Sequence, residues 1–212
     1  MYAQAEFRER RSEILADAIG RIRLAAIVTA SPGEYLVTHA PMIVTRAAGP
    51  MTLDAHVARV NPHWRALGDG AAAVAVFQGP HAYISPAWYP SKQEDGRVVP
   101  TWNYIVVHAH GRLEAVHDKA WLRTQLERLT DASEAGRSEP WAVTDAPSPY
   151  VERMIEGIVG LRLWVDRLEG AWKLSQNRAP ADGQGAIAGL ATEGGDQGRA
   201  VADLMRIAET PT

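Results

Sequence analysis

The chain opens on a helical pattern and then changes to a series of short β-type runs. Over residues 6–23, apolar side chains recur at helical spacing on one face, with arginines and glutamates on the other. Short apolar runs then alternate with turn residues, including those at 31–34 and the Gly79-Pro80 pair. The runs that predict strands are residues 24–29, 35–38, 42–45, 51–57, 71–77 and 82–85. So dense a series favours a closed or sandwiched β-structure over βαβ units.

The second half of the chain mixes one long loop, two helices and two further strands. Residues 86–99 carry several prolines and a charged run, which predicts a loop of a length that is often functional. A long strand with a kink or bulge at Gly111 follows over 102–116. Asp118 and Ser148 begin the two predicted helices, and 158–168 returns to strand. From 179 onward the chain is rich in glycine and alanine and ends on a weakly helical pattern.

Composition limits the class of protein. With 212 residues, of which 46% are hydrophobic and 22% charged, the chain is expected to form one globular domain with a helical appendage. Its apolar stretches are far shorter than the roughly 20 residues that span a membrane, and its polar first residues are not a secretory signal. The absence of cysteine excludes disulfides and thiolate chemistry. These features predict a cytoplasmic protein without a membrane partner.

Charge bears on nucleic-acid binding. The formal net charge is -3, and basic and acidic residues are mixed along the whole chain. A protein that grips DNA by itself normally shows a basic stripe, because phosphate neutralisation supplies most non-specific affinity. No helix-turn-helix pair with basic recognition residues is visible in the sequence. Direct DNA binding by the chain alone is therefore doubtful.

The segment 56–64 is the first candidate for chemistry. It places His56 and Arg59 at the end of a predicted strand, and Asn61 at the start of the next helix. A guanidinium offers planar donors that match phosphate oxygens, and a helix N-terminus adds backbone N–H groups. One interpretation is therefore a phosphate site. The other is that Arg59 pairs with a carboxylate and Asn61 only caps the helix.

Aromatic residues cluster in two further segments, 77–90 and 100–104. Trp102, with Thr101 and Asn103 beside it, would suit the wall of a site for a flat conjugated ligand. Large aromatic residues are equally well explained as core. His108 and His110 share one strand face, but no third metal ligand is suggested by spacing, and the sequence therefore predicts no metal site.

Five segments of the chain together resemble a known family. Residues 56–64, 77–86, 88–92, 99–104 and 172–178 are similar, in the same order, to the signature blocks of the PaiB-type FMN-binding negative transcriptional regulators. The resemblance extends from about residue 1 to residue 190. It implies a mainly β fold with peripheral helices: a split β-barrel of the FMN-binding type, related to pyridoxamine-phosphate oxidases. It also implies a homodimer with FMN in a groove between subunits.

The resemblance assigns roles to particular residues. It implies that His56 and Arg59 face the phosphate, and that Thr101, Trp102 and Asn103 form part of the flavin wall. It further implies a polar C-terminal segment contributed by the other subunit, made of Lys173, Ser175, Gln176, Asn177 and Arg178. The predicted domains are an FMN-binding split barrel with its N-terminal helix at 1–178, and a C-terminal helical tail at 179–212.

The sequence and the family resemblance leave three functions open. The first is a flavin-binding regulator, which the family's name supports. The second is an FMN-dependent oxidoreductase, since the flavin would supply the electron chemistry and the protein its position. The third is a haem-binding or haem-degrading split-barrel protein, with haem in place of FMN. Its candidate ligands are His39, His56, His81, His108 and His110, and nothing in the sequence selects one.

Overall fold

The structure is a computed structural model that describes residues 1–31, 33–45 and 50–209, apart from the side chain of Glu209. Pro32 of the predicted turn at 31–34 and the last three residues of the predicted tail lie outside the described residues. The helices are α1 Ser12–Ile22, α2 Lys119–Glu134, α3 Ser148–Glu156, α4 Pro180–Glu193 and α5 Gly195–Glu209. None of these helices combines the length and the apolar character that crossing a membrane requires.

Eight strands of the described chain form one sheet. They are β1 Arg8–Glu9, β2 Leu24–Ser31, β3 Glu34–Pro41, β4 Ile43–Thr45, β5 Thr52–Ala58, β6 Ala71–Ile84, β7 Thr101–Val116 and β8 Ile158–Lys173. Their order is β3-β2-β6-β7-β8-β5-β4, and β1 pairs with the end of β8. The pairings of β1, β2, β4 and β5 with their neighbours are antiparallel. Short 3-10 helices lie at Ala5–Phe7, Pro62–Leu67, Pro86–Trp88, Pro90–Gln93 and Val143–Asp145.

Glycine lies inside two of the long strands, at Gly79 of β6 and Gly111 of β7. The break predicted at Gly79-Pro80 is wrong, because β6 runs unbroken across it. Proline is tolerated in a strand where the ladder does not need its missing N–H. Strand β7 likewise runs through Gly111, whose Cα lies so close to the Trp164 carbonyl that a Cβ there would sit 1.8 Å from the oxygen. The glycine is therefore required for close approach of two strands.

The chain divides into two compact units. The first unit comprises Met1–Leu15, Gln78–Val107 and Glu169–Thr212, and the second comprises Ala16–Phe77 and His108–Leu168. In the second unit, α2 and α3 bury Leu122, Val151 and Ile155 in one apolar cluster. A carboxylate is also buried there: Asp54 accepts two hydrogen bonds of 2.8 Å from Arg162, which neutralises its charge.

The core of the first unit joins the last two helices to the strands. Its buried side chains come from the ends of β6 and β7 and from α4 and α5, and include Ile84, Ile105, Ile187, Leu190 and Val201. Burying these side chains gives the glycine- and alanine-rich tail its fixed place in this unit. The residues that follow β8 are thereby held between a strand end and a packed helix.

Two of the glycines in the tail are required by close packing of α4. Gly185 and Gly189 lie one turn apart and both face Trp88. A Cβ on Gly185 would come within 2.0 Å of the Trp88 carbonyl oxygen, and one on Gly189 within 2.2 Å of the indole ring. The helix therefore packs on Trp88 at a distance that only glycine permits.

Replacing Gly185 by alanine should destabilise the protein, because the obstructing atom belongs to the backbone and cannot rotate away. We expect Gly185→Ala to lower the free energy of unfolding by about 2–3 kcal/mol. The control is Gly20→Ala in α1, where a Cβ meets nothing within 4 Å. That change should raise stability by about 0.5–1 kcal/mol. Denaturant titration measures both, and equal effects of the two variants would contradict the packing described.

Candidate functional site

The start of β7 and the end of β8 meet in the first unit through Lys173. Its ammonium donates to the hydroxyl of Thr101 and, at 2.7 Å, to the carbonyl oxygen of Trp102. Both acceptors are neutral, so these contacts position the charge of Lys173 without cancelling it. Residues that lie 72 positions apart in the sequence are thereby in direct contact.

A buried amide fixes the chain just beyond Lys173. Asn103 is fully buried, and its Nδ2 donates to Ser175 Oγ at 2.9 Å. The Ser175 hydroxyl in turn donates to Asn103 Oδ1 at 3.2 Å. Ser175 has φ of 65°, a left-handed conformation that L-residues other than asparagine or aspartate rarely adopt. Mutual bonding to Asn103 therefore holds a strained turn in place.

The side chain of Gln176 closes the same turn. It accepts from the Leu174 N–H at 2.8 Å and donates to the Trp172 carbonyl at 2.6 Å. The Arg178 N–H adds a bond of 2.9 Å to the Ser175 carbonyl. The side-chain oxygen and nitrogen of Gln176 are therefore both bonded to the backbone in this structure.

A cavity of about 210 Å³ lies against this turn. Six of the ten predicted cofactor-binding residues line it, together with two from the N-terminal segment: Thr101, Asn103, Lys173, Ser175, Asn177, Arg178, Gln4 and Phe7. Two of these residues are cations and none is a carboxylate. A second cavity, of about 390 Å³, shares Ser175 and Arg178 with the first. Hereafter the first is called the turn cavity.

The electrostatics of the turn cavity favour an anion. Burial lowers the pKa of Lys173 below the usual lysine value, and the positive charge of Arg178 lowers it further. The guanidinium of Arg178 lies over the ring of Tyr89, 5.1 Å from its centroid. Two cations that share one partly buried site repel each other, and an anion bound there would relieve that repulsion.

Trp102 lies apart from its two neighbours in the sequence. Side chains alternate along a strand, so Thr101 and Asn103 share the face of the turn cavity, whereas Trp102 projects to the other face. There its Nε1 donates to His81 Nδ1 at 3.2 Å, and its ring lies within about 6 Å of those of His81 and Tyr83. It is 49% exposed and forms a half-open aromatic surface.

His56 and Arg59 lie in the second unit. The Nδ1 atom of His56 is 2.8 Å from Gln125 Oε1. Arg59 is exposed, and its guanidinium donates to the carbonyl oxygens of Glu156 at 2.6 Å and Ile158 at 2.8 Å. The side chain of Asn61 accepts from the His63 N–H, so the predicted cap is present. Arg59 is thus tied to backbone carbonyls, and its role towards a phosphate stays a prediction.

Gln4 and Phe7 line the turn cavity although neither residue carries a functional signal in the sequence. They belong to the turn cavity because β1 pairs with the end of β8, with Arg8 opposite Ala171. The helical periodicity of residues 6–23 concealed this short strand. Met205, whose sulfur is 3.5 Å from Asn103 Nδ2, was not predicted either, since a lone methionine in a weakly helical tail gives no functional signal.

A flavin phosphate fits the donor set of the turn cavity. A phosphate group needs cations and N–H or O–H donors without a competing carboxylate, and the residues that line the cavity meet that requirement. The cavity is smaller than the roughly 300–1,000 Å³ that encloses a whole ligand. It therefore suits one end of a nucleotide.

Comparison with known proteins places the chain in a family. Residues 1–167 match the family model described as "Putative FMN-binding domain". The protease synthase and sporulation protein PAI 2 of Bacillus subtilis is 32% identical over 206 residues, covering 97% of this chain and 96% of that protein. An uncharacterized protein of Emericella nidulans is 32% identical over 245 residues, covering 97% of this chain and 96% of its own.

The fold has counterparts among solved structures. The FAD and heme binding protein from Mycobacterium smegmatis aligns with a TM-score of 0.57 at 20% identity, over 78% of this chain and 73% of that one. The fold class is a mainly antiparallel split β-barrel with peripheral helices, as predicted. The chain belongs to the FMN-binding-domain family that includes the PaiB-type proteins. This confirms the family inferred from the five segments, and with it FMN as the cofactor.

The perturbed lysine gives a testable pH dependence. Because the pKa of Lys173 is lower in the folded than in the unfolded chain, the unfolded chain holds more protons on this residue between the two values. Stability contributed by Lys173 therefore rises as pH increases through that interval, towards the ordinary value of 10.5. We expect the unfolding free energy of the wild type to rise relative to that of Lys173→Met as the pH approaches the usual lysine pKa of 10.5 from below. Parallel pH profiles of the two proteins would contradict the environment described.

Proposed function

We propose that the turn cavity holds the phosphate end of FMN. The observation that carries this proposal is the pairing of Lys173 and Arg178 in one cavity, with neutral polar groups and no carboxylate among the described lining residues. An ammonium has three N–H groups, and two of those on Lys173 are directed at Thr101 and Trp102. The third is available to a phosphate oxygen, and the guanidinium of Arg178 offers a planar pair of donors.

Each neighbouring residue has a defined part in this proposal. Thr101 and the Trp102 carbonyl orient the ammonium, while Asn103 holds Ser175 and thereby the turn that carries Arg178. When bound, FMN supplies hydride or electron chemistry, and the protein supplies position and charge. Trp102 projects to the opposite face of β7 from the turn cavity, so its place in a flavin wall stays a prediction from the sequence.

The alternative phosphate site is the one predicted from the segment 56–64. Arg59 is exposed, and its Nε and Nη2 already donate to two carbonyl oxygens, so a phosphate could bind only at the Nη1 end of the guanidinium. In the turn cavity two cations, rather than one, face the same space. Both sites can be tested in one experiment, because riboflavin differs from FMN by the phosphate alone.

Removing a phosphate-binding cation should weaken FMN selectively. We expect Lys173→Met and Arg178→Gln each to weaken FMN by roughly 10- to 100-fold, since each deletes one charge-assisted contact. Riboflavin should change by less than about threefold, as it has no phosphate to lose that contact. Flavin fluorescence quenching in titrations of apoprotein measures both ligands. Arg59→Gln is the matched control, and it should leave the ratio of the two affinities near that of the wild type.

A different pattern of affinities would assign the phosphate to the other site. If Arg59→Gln reduced FMN binding alone while Lys173→Met reduced both flavins alike, the phosphate would belong to the segment 56–64. The turn cavity would then have no part in phosphate binding.

We also propose that two copies of the chain associate. The outer face of β2 and β3 is apolar and open: Leu24 is 55% exposed, Tyr35 78% and Val37 54%. Val28 lies directly opposite Val37 in the ladder, so the face is continuous across the two strands. Contiguous exposed apolar surface of this kind marks interaction sites. A second copy of the chain is the occupant that the family resemblance implies.

A charge in the middle of this face should separate the copies. We expect Val37→Lys to halve the molar mass measured by size-exclusion chromatography with light scattering, because the ammonium would be buried without a partner. Val60→Lys is the control, since Val60 is 84% exposed and lies outside the face. A wild-type chain that is itself monomeric, or a Val37→Lys dimer, would refute the proposed contact.

The remaining features stay predictions from the sequence. They are a regulatory role, a cytoplasmic location, the domain boundary after Arg178, the contribution of residues 173–178 by the other subunit, and haem as the alternative cofactor. Bleaching of bound flavin by NADH or NADPH would distinguish an oxidoreductase from a regulator. The net charge of -3 continues to weigh against unaided DNA binding.

A further inference from the structure

A second cationic cavity lies in the second unit, apart from every residue to which a flavin role has been given. Its volume is about 320 Å³, and it is bounded by α1, β4 and α2. Ala16 and Gly20 of α1 face it one turn apart, as do Arg128 and Ala132 of α2. The others that line it are Arg23, Met42, Ile43 and Val44. We call it the helix cavity.

The lining of the helix cavity is amphipathic. Met42 and Ile43 are buried and, with Val44 and the two alanines, present an apolar wall. Two arginines, Arg23 and Arg128, contribute positive charge, and no carboxylate is among the described lining residues. Such a surface suits a molecule with an apolar body and one anionic group.

The charge of the two arginines is not offset by an ion pair within the described chain. Arg23 donates to the Gly20 carbonyl at 3.0 Å and to Ser133 Oγ at 3.4 Å. Arg128 makes one long contact, 3.5 Å, to Thr45 Oγ1. The carboxylate that Thr45 contacts in turn, Asp54, is already neutralised by Arg162. Both guanidiniums therefore retain donors for an anion.

Backbone conformation at Arg23 adds an independent observation. Arg23 and Ser175 are the two non-glycine residues with positive φ in the described chain, and each of them lines a cationic cavity. Arg23 has φ of 56° in the position after α1, where glycine is the usual residue. Keeping arginine there costs about 1 kcal/mol or more, and strain of this kind clusters at ligand sites.

Gly20 breaks a second local rule at the same place. Glycine within a helix is less stable than alanine by about 0.5–1 kcal/mol. A Cβ at Gly20 would meet no atom within 4 Å, so packing does not require glycine there. Gly20 lines the helix cavity, so a longer side chain at this position would extend into it. Two departures from local preference therefore lie at one cavity.

We propose that the helix cavity binds a small apolar carboxylate as a second ligand, with Arg23 and Arg128 on the anionic group and Met42, Ile43 and Val44 on the apolar body. This proposal does not rest on the flavin site. Naphthoate is a suitable probe, and naphthylmethanol, which has the same rings without the charge, is its matched neutral control.

Isothermal titration of the purified protein, with its flavin bound, tests the site. We expect naphthoate to bind at least tenfold more tightly than naphthylmethanol, and Arg128→Gln to weaken naphthoate by roughly tenfold. Arg23→Asn should do the same, because asparagine tolerates the left-handed conformation while removing the charge. Arg21→Gln in α1 is the control. Arg21 is exposed, pairs with Asp17, and does not line the cavity.

A cavity-filling variant separates binding from folding. Gly20→Leu places a side chain in the helix cavity and improves helix propensity, so it should melt at or above the wild-type temperature and lose naphthoate binding. The proposal is overturned if naphthoate does not bind the wild type at millimolar concentration, or if Arg128→Gln and Arg21→Gln weaken it equally. It is also overturned if added FMN displaces naphthoate, because the cavity would then belong to the flavin.

Discussion

Repulsion between two cations is the constraint on which the candidate site depends. Lys173 and Arg178 line one cavity, and burial together with the neighbouring charge lowers the pKa of the lysine. Among the described residues that line the cavity, none is a carboxylate that could offset this repulsion. The fold orients the ammonium by neutral oxygens instead, at Thr101 and Trp102. The site is therefore already arranged for an anion, and FMN, the cofactor of the family, carries one in its phosphate.

The positions of those cations depend on the strained turn at Ser175. Hydrogen bonds to a buried side chain hold this turn in place. Ser175 keeps its left-handed backbone because Asn103, fully buried, bonds to its hydroxyl in both directions. Asn103 is itself covered by Met205 from the last helix. The tail packs tightly enough to supply that cover because Gly185 lets α4 lie against the backbone of Trp88. The position of the Arg178 guanidinium therefore depends on the buried amide of Asn103, and that amide depends on the packing of the last two helices.

The same combination recurs in the second unit with different residues. There Arg23 has the positive φ, and Gly20 leaves space that no neighbouring atom fills. Local preference alone would favour glycine after the helix and alanine within it. In both units the sequence departs from the locally stable choice where a cationic cavity opens. Such departures are expected at functional sites, where stability is given up for geometry.

The sequence by itself determined the class of fold, the family and much of the polar inventory. Dense β-runs predicted a closed β-structure, and the segments 99–104 and 172–178 marked residues that do meet in one cavity. Only the tertiary structure decided that β6 crosses Gly79-Pro80, that Phe7 reaches the site through strand pairing, and that Arg59 is bonded to carbonyl oxygens. Periodicity and residue type are local properties that a sequence displays directly. Contacts between residues far apart depend on strand register and helix packing, which arise only when the whole chain buries its core.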